Sequence, residues 1–417
     1  MDTEGKNLGS FIELPDRDIF AKTKPFYDFM ESLAAQRHHH WHRILSSPSE
    51  AHVRIIDRYT NQEHEMINLA SNNYLGLTTH PRVVEAGCEV YRKLGAGAGS
   101  VPLLGGTMTY HRDLEQKLAA TKGCEDAIIF TSGYASNVGC ISGLVRKTDV
   151  ALNDRLNHAS LIDGCRLSGA TFRTFHHNDP NSLERVLASC DKEFLGKLVI
   201  VDSVYSMDGD IARLPEFLPI VRKYGARLMI DEAHATGVLG AHGRGTPEHF
   251  SLEGQIDIVA GTLSKALGGV GGFIASTREV VHYLRFYARS YMFSTALPPA
   301  TAASLIAALD VIAEEPELRE RLWHHIHFIT DNLRRLGFDL GRAETAIIPI
   351  IMGDEKKLKK MSREVHEAGI FINPIYYPAV PKKQDRLRLS LMATLTQEDL
   401  DFTLEVLERV GRKYGVI

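Results

Sequence analysis

The feature that most constrains the fold of this chain is a series of short apolar runs, rich in β-branched residues, that alternate with helical stretches. Strands that are apolar throughout are typical of a parallel sheet whose two faces are both covered by helices. The sequence therefore predicts a mostly parallel α/β sheet. Its expected strands are Ala127–Phe130, Val150–Asn153, Leu198–Asp202, Arg227–Asp231, Ile258–Thr262 and Gly272–Ala275.

The alternation changes after Pro298 and Pro299. A long helical stretch leads into shorter strands mixed with helices, which indicates a smaller α+β domain. The expected elements are a helix over 300–337, strands at 346–351, 370–375 and 386–391, a helix over 356–368 and a last helix that begins at Thr396. We expect an N-terminal extension (1–67), a large domain (68–299) and a small C-terminal domain (300–417).

Composition excludes several classes of protein. The 417 residues include 48 Lys+Arg and 52 Asp+Glu, so the net charge of −4 gives no reason to expect nucleic acid as a partner. No stretch of 18 apolar residues occurs, and the polar start lacks the apolar core of a secretory signal. Five widely spaced cysteines without a CxxC pair fit a reducing compartment. We therefore expect a cytoplasmic protein without an integral membrane segment.

Two groups of histidines invite a metal site. Adjacent histidines point in different directions, and no carboxylate or thiolate stands at ligand spacing nearby. We therefore expect solvated or partner-facing segments and no metal. The histidines concerned are His38, His39, His40 and His42 around Trp41, and His324, His325 and His327.

The residues capable of chemistry follow the predicted strands, where ligands of parallel sheets bind. Lys265 lies in a glycine-rich loop, Gly261–Gly272, directly after a strand. Glycines let a ligand approach the backbone closely. Lys265 could bind a phosphate, although the GxxxxGK[ST] pattern is absent, or it could attack a carbonyl as a Schiff-base lysine.

Asp231 and His234 form a second motif, Asp-Glu-Ala-His, after a buried strand. A carboxylate there needs a cation or several donors, and a pyridinium nitrogen would supply the cation. His234 could then donate to an oxygen on the same ring. A structural alternative is that Asp231 only caps the following loop.

Three further turns follow predicted strands. The small-residue turn at Gly133 and Tyr134 opens a helix, whose N-terminus favours phosphate. His158 could stack on a heteroaromatic ring, although a lone histidine is more often structural. The third turn, 202–210, is polar and contains Ser206.

Together with Ala70–Leu77, these motifs resemble the α-oxoamine synthase family of fold-type-I pyridoxal 5′-phosphate (PLP) enzymes, in the family's order. The resemblance runs from about Leu69 to the C-terminus. It implies a mostly parallel seven-stranded sheet in the large domain, an α+β C-terminal domain, PLP as the cofactor, and a homodimer with the active site at its interface.

The resemblance also implies roles for single residues. Lys265 would hold PLP covalently and move the substrate's Cα proton. Asp231 would pair with the pyridinium nitrogen, and His158 would stack on the ring. His234 would donate to the phenolic oxygen with help from Ser206. The expected phosphate contacts are Gly133, Tyr134, Thr262, Ser264 and, from a second subunit, Ser294.

Arg388 matches the arginine with which the family binds the substrate carboxylate. A guanidinium fork binds a carboxylate with two hydrogen bonds and stays charged. Arg386 lies two residues away, shares the same strand face, and is the fallback. Asn73 is expected near the same carboxylate.

The expected reaction condenses a small amino acid, glycine or serine, with an acyl-CoA or acyl-carrier thioester, and releases CoA and usually CO2. Motifs point to the 2-amino-3-ketobutyrate CoA ligase and serine palmitoyltransferase branches. The alternative is an 8-amino-7-oxononanoate synthase-like member. Leu395 stands where the family usually has histidine, and Pro102 where it often has arginine, so known substrate preferences do not transfer directly.

Three other classes compete with this interpretation. A PLP aminotransferase or aldolase would share Lys265 and Asp231 but would need no thioester site. A non-catalytic protein that retained the fold would lack turnover. A dehydrogenase of the Rossmann type is disfavoured because no GxGxxG motif joins a first strand to a helix.

Overall fold

The protein is described by a computed structural model that covers residues 6–13 and 18–417. Its strands are β1 (Ile44–Leu45), β2 (His52–Ile56), β3 (Glu63–Asn68), β4 (Asp126–Phe130), β5 (Val150–Asp154), β6 (Thr171–Phe175), β7 (Lys197–Asp202), β8 (Arg227–Asp231), β9 (Ile258–Thr262), β10 (Gly272–Ser276), β11 (Ile347–Ile351), β12 (Ile370–Phe371), β13 (Asn373–Ile375) and β14 (Arg386–Ser390). Its helices are α1 (Thr23–Ala35), α2 (Pro81–Leu94), α3 (Thr109–Lys122), α4 (Gly133–Leu144), α5 (Ala159–Ser168), α6 (Pro180–Cys190), α7 (Leu214–Lys223), α8 (Thr246–His249), α9 (Arg278–Tyr287), α10 (Arg289–Met292), α11 (Pro299–Glu314), α12 (Pro316–Leu336), α13 (Glu355–Glu367) and α14 (Gln397–Lys413).

The chain divides into two units. The sheet unit contains residues 73–206 and 210–322, and the terminal unit contains residues 1–72, 207–209 and 323–417. This grouping differs from the three consecutive segments expected from the sequence, because β3 pairs with β12 and so joins the first part of the chain to the last. The boundaries at 67 and 299 stay predictions.

The sheet unit is built on the predicted parallel sheet. Among the described residues this sheet has seven strands in the order β4-β10-β9-β8-β7-β5-β6, which confirms the expected fold class. Every neighbouring pair is parallel except those of β10, which runs antiparallel to both β4 and β9. The edge strand β6 was not expected, because its sequence, TFRTF, is half polar and only Phe175 is buried.

The core of the sheet unit explains why the other strands are apolar throughout. Strands β5, β8, β9 and β10 are almost completely buried. Helices α4, α5 and α9 contribute Cys140, Leu161 and Leu284 to the same buried cluster. Because parallel strands end at one edge of a sheet, the predicted site residues after β7, β8 and β9 come together at that edge.

The terminal unit contains two small sheets, β1-β2-β3-β12 and β11-β14-β13. Two predictions for residues 300–375 differ from the structure. The single helix expected over 300–337 is divided into α11 and α12 at Glu315, because a proline at the next position disfavours a helical conformation before it. The strand expected at 370–375 is two short strands with different partners. Over residues 6–13 and 18–417, no helix is long and apolar enough to cross a membrane.

Candidate active site

Two carboxylates lie side by side at the carboxyl edge of the main sheet. Asp202 and Asp231 are the last residues of β7 and β8 and face each other in register. Both are buried. Burial, together with the charge of Asp231, raises the pKa of Asp202 well above its usual value. Two buried carboxylates this close favour a cationic ligand beside them.

Asp231 is held by neutral donors. Its Oδ2 accepts a hydrogen bond of 2.7 Å from Asn137 Nδ2, and its Oδ1 accepts one of 2.9 Å from the backbone N–H of Ala233. No salt bridge to Asp231 occurs within the described part of the chain. Asn137, on α4, was missed by sequence reasoning because it lies 94 residues from its partner. A buried carboxylate with two neutral donors is suited to a protonated ring nitrogen.

His158 caps the N-terminus of α5 beside this pair. Its backbone N–H donates to Asp202 Oδ2 over 2.8 Å, and its Nδ1 lies 2.8 Å from Ser160 Oγ. Ser160 also accepts from Asn137 Nδ2 over 2.9 Å. Desolvation lowers the pKa of His158, the Asp231 charge raises it and the Lys265 charge lowers it, so the three groups lie within electrostatic reach. The exposed imidazole is thereby fixed at one nitrogen, as stacking on a planar ligand requires.

His234 is positioned by a residue that sequence reasoning did not identify. Its Nδ1 lies 2.6 Å from the hydroxyl of Tyr74, and both side chains are buried. A phenol can donate this hydrogen bond, and in the tautomer that accepts it at Nδ1 the imidazole carries its proton on Nε2. His234 can then donate from Nε2 to an oxygen of a ligand.

A close contact of backbones forms the predicted phosphate turn. An added Cβ on Gly133 would lie 2.9 Å from Thr262 Cβ, and one on Gly272 would lie 2.6 Å from Gly133 Cα. Ser132 caps α4 through a 3.0 Å hydrogen bond from the Ala135 N–H. The first N–H groups of a helix have no partner within the helix, so this turn can bind an anion.

Two hydroxyl groups lie at the end of β9, beside Gly133. Thr262 Oγ1 lies 2.8 Å from Ser264 Oγ and donates over 3.0 Å to the carbonyl of Gly271. The loop continues to Lys265, whose carbonyl accepts from the Gly268 N–H. Lys265 is half-buried, and its charge acts on both His158 and Asp202.

These residues fit PLP. The Gly133–Thr262–Gly272 contact excludes a side chain beside the N-terminus of α4, where backbone N–H groups can bind a phosphate. Asp231 offers an anion to a ring nitrogen, and His158 offers a ring face. Lys265 brings its amine into the same electrostatic neighbourhood. The site can therefore hold a phosphorylated, cationic heteroaromatic ring.

Three other residues were predicted to contact the cofactor, and their surroundings are as follows. Tyr134 is half exposed, and its hydroxyl donates to Asp163 Oδ2 over 2.6 Å. Ser206 is half-buried in the turn after β7. Ser294 lines a small pocket with Thr131 of the same chain. The roles of Tyr134, Ser206 and Ser294 toward PLP stay predictions.

The two candidate carboxylate arginines lie on β14 in the terminal unit. Arg386 is 1% exposed and donates to Asp208 Oδ1 over 2.8 Å and to the Met207 carbonyl over 2.9 Å. Its charge is therefore neutralised within the protein. Arg388 donates from Nη2 to Asn72 Oδ1 over 3.2 Å. Which of the two arginines binds the substrate carboxylate stays a prediction.

The asparagine beside Arg388 is Asn72, one position before the one expected. Asn73 Nδ2 instead donates to Thr78 Oγ1 over 2.6 Å and so organises its own turn. Neighbouring residues in an extended turn point in different directions, which the sequence pattern alone does not resolve. The role expected for Asn73 stays a prediction.

The histidine segment is not solvated as expected. His39 and His40 are buried, and the ring centroid of His40 lies 5.8 Å from that of His366 on α13. His325 is also buried and bonds the carbonyl of Met392. The expectation of solvated segments was wrong for these three histidines, because the elements that cover them come from distant parts of the chain, whereas His42, His324 and His327 are exposed. That either segment faces a partner stays a prediction. Within residues 6–13 and 18–417, no group of three or more His, Cys, Asp or Glu side chains could hold a metal ion.

Comparison with known proteins identifies the family. The model of the class I and II aminotransferases matches residues 64–407. The chain belongs to this family and, within it, to the α-oxoamine synthases, which are PLP-dependent enzymes that transfer acyl groups.

Particular relatives narrow the comparison. The chain is 46% identical over 374 residues to 8-amino-7-oxononanoate synthase of Thermoanaerobacter pseudethanolicus, covering 90% of this chain and 93% of that one. It is 38% identical to the 4-hydroxy-2,2'-bipyrrole-5-methanol synthase PigH of a Serratia species, over 99% of this chain and 63% of that one. A solved serine palmitoyltransferase of S. paucimobilis with bound PLP has a TM-score of 0.91 at 33% identity, covering 96% of this chain and 100% of that one.

Proposed function

We propose that this enzyme condenses L-alanine with the thioester of a seven-carbon dicarboxylic acid, as the product named for the relative from Thermoanaerobacter pseudethanolicus requires. In 8-amino-7-oxononanoate the oxo group is on C7 and the amino group is on C8. An α-oxoamine synthase forms the C7–C8 bond. The two carbons from the amino group onward then come from an amino acid that has lost its carboxyl group, which specifies alanine. The extent of this similarity favours the alternative over the glycine or serine reaction expected first.

The proposed reaction balances without an oxidant. The Cα–H bond of alanine breaks, Cα attacks the thioester carbonyl and the thiol leaves with a proton. The Cα–carboxyl bond then breaks, CO2 leaves, and Cα takes up one proton that comes from water. PLP, when bound, supplies the electron sink that stabilises the carbanion at Cα.

The residues of the chain provide the remaining chemistry. The amine of Lys265 removes the Cα proton and, after CO2 has left, delivers a proton to Cα. Asp231 keeps the ring nitrogen protonated, because its carboxylate is buried with neutral donors only. His234 donates from Nε2, His158 covers one ring face, and Arg388 binds the carboxylate of the amino acid.

A serine substrate is the second candidate. The chain aligns over 99% of its length with PigH, whose named product carries a hydroxymethyl (methanol) group. Its fold also matches that of serine palmitoyltransferase, with a TM-score of 0.91. A hydroxymethyl group on Cα is what serine would contribute and alanine would not.

One experiment separates these candidates. The purified enzyme is titrated with glycine, L-alanine and L-serine, and the PLP absorbance is followed. Thiol release and product mass are then measured with acetyl, pimeloyl and palmitoyl thioesters of CoA and of an acyl carrier protein. We expect the fastest release with alanine and the pimeloyl donors. Preference for serine supports the second candidate, and absence of thiol release with every donor contradicts both.

The homodimer belongs to the same proposal. Ser294 would complete the phosphate site of a second subunit. Analytical ultracentrifugation measures the assembly, and the PLP affinity of Ser294→Ala measures the contact. We expect a dimer and a PLP affinity about tenfold lower, as for the loss of one charge-assisted hydrogen bond.

A further inference from the structure

Arg43 directly follows the histidine segment (residues 38–42), and its hydrogen-bond partners in the part of the chain that the structure covers are all neutral. Its Nη2 donates to the carbonyl of Ile372 over 2.7 Å and to Asn373 Oδ1 over 3.3 Å. Its Nη1 lies 3.3 Å from Nδ1 of His366. The guanidinium lies 4.0 Å from the centroid of the Phe371 ring. Among the residues that the structure describes, Arg43 makes no salt bridge.

The histidines beside Arg43 carry no charge at neutral pH. Burial, together with the charge of Arg43, lowers the pKa of His40 to about 3 and that of His366 to about 4. Arg43 remains a cation, although burial lowers its pKa to about 9. A desolvated cation without a counter-ion destabilises the fold. Because Arg43 does not stabilise the described part of the chain through a salt bridge, we look for its role in the residues that it orients.

Arg43 determines the orientation of the Asn373 side chain. Asn373 Oδ1 faces the guanidinium, and Nδ2 donates over 3.1 Å to the carbonyl of Ala70. The opposite orientation would place the amide hydrogens against a cation and its oxygen against a carbonyl. With Arg43 present, Asn373 can only donate toward Ala70.

Ala70 lies two residues before Asn72, which is a hydrogen-bond partner of Arg388. Asn72 Oδ1 accepts from Arg388 Nη2 over 3.2 Å and from Ser390 Oγ over 3.4 Å. Asn373 also lies opposite Arg388 in the register of β13 and β14, so their side chains share one face of the sheet. The contacts of Arg43 thus reach the guanidinium of Arg388 along the backbone and across the strands.

We propose that Arg43 is a positioning residue, which orients Arg388 to bind the carboxylate of the amino-acid substrate through Asn373 and the Ala70–Asn72 segment. The proposal rests on the proposed role of Arg388. Arg43 touches no substrate: it fixes the amide of Asn373, which holds the segment whose Asn72 directs one arm of the Arg388 fork. Two-point recognition of a carboxylate depends on this orientation more than on charge.

The test compares substrates with and without the carboxylate. Holoenzyme of Arg43→Met is titrated with L-alanine, with L-serine in parallel, and with the amide L-alaninamide, using PLP absorbance. Methionine keeps the apolar packing on Phe371 but removes the fork. We expect binding of both amino acids to weaken about tenfold, and binding of the amide and PLP content to change less than twofold. The matched control is Arg54→Met, an exposed arginine on β2, for which we expect no change.

Further variants separate the two proposals. If Arg388→Met leaves alanine and serine binding unchanged, the role of Arg388 is overturned and the positioning role with it. If Arg388→Met weakens both but Arg43→Met does not, only the positioning role is overturned. Weaker binding of amino acids and amide alike, or loss of PLP, in Arg43→Met would indicate a general structural role and also refute it.

Two more variants test the proposal independently: one interrupts the connection at a different residue, and the other asks whether the effects of Arg43 and Arg388 add. Asn373→Ala interrupts the same connection without touching Arg43, so we expect the same selective loss. Adding Arg43→Met to Arg388→Met should weaken alanine binding less than twofold further, because the second change removes an interaction already lost. A full tenfold further loss would contradict the proposal.

Discussion

His177 bridges two buried carboxylates, and this arrangement predicts a loss of stability at alkaline pH. Its Nδ1 lies 3.1 Å from Asp154 Oδ1, and its Nε2 lies 3.1 Å from Asp210 Oδ2. Burial alone would lower the pKa of His177, but the hydrogen bonds and charges of the two carboxylates outweigh it and raise the pKa to about 10. The imidazole is therefore charged in the folded protein at neutral pH.

The magnitude follows from linkage between protonation and folding. A rise from 6.5 to about 10 is about 3.5 pKa units, or roughly 5 kcal/mol at 1.36 kcal/mol per unit. Two hydrogen bonds between charged groups at about 1.5–3 kcal/mol each give a similar sum. Because the pKa is raised on folding, the contribution is complete below about pH 6.5 and is lost as the pH rises from 6.5 to 10.

The variant His177→Gln removes the titrating group. Relative to it, the unmodified protein should be more stable by about 4 kcal/mol at pH 6.5 and by about 1 kcal/mol at pH 9.5. Urea unfolding at a fixed saturating PLP concentration, followed by far-UV circular dichroism, measures this difference. His327→Gln, which changes an exposed histidine, is the control and should show no such trend. A difference that stays constant from pH 6.5 to 9.5 would refute the charged bridge.

Three further variants test the site and its support. Lys265→Ala should abolish turnover and leave far-UV circular dichroism unchanged, because the change removes a loop amine and no side chain of the apolar core; unfolding of this variant would contradict the assignment. Gly133→Ala should lower PLP affinity about tenfold in equilibrium dialysis, because the added Cβ would lie 2.9 Å from Thr262 Cβ; unchanged affinity would show that this turn does not hold the phosphate. Lys122→Met should lower the free energy of unfolding in urea by about 3–5 kcal/mol, because it leaves the fully buried Glu232 without its cation. Adding Glu232→Gln should restore part of that loss, and a further decrease would count against the pair.

The strands could be predicted because their signal is local. Apolar runs identified all the buried strands of the main sheet to within one residue, whereas the edge strand β6 carries polar side chains and gave no such signal. Pro299 and Pro316 begin α11 and α12. Because the helical pattern continues on both sides of Pro316, the sequence predicted one helix and missed the break at Glu315.

The partners of the site residues could not be predicted, because they depend on which side chains tertiary packing brings together. Tyr74 lies 160 residues from His234, and Asn72 lies 316 residues from Arg388. The strand-end motifs could place Asp231 beside the site, but no spacing rule identifies Asn137 as its donor. The burial of His40 likewise depends on His366, 326 positions later in the sequence.

The reversed direction of β10 has a consequence for how the lysine loop forms. In a parallel sheet a strand and its neighbour must be joined by a long crossover, but β9 and β10 pair directly as a hairpin, with Thr262 opposite Gly272. The loop that carries Lys265 is therefore closed by residues ten positions apart, and little chain entropy is lost in closing it. Its contacts are local, so the lysine segment can reach its shape as soon as two strands meet, before the long-range pairing of β10 with β4 is complete. Asp231, by contrast, acquires its Asn137 donor only when helix and sheet have docked.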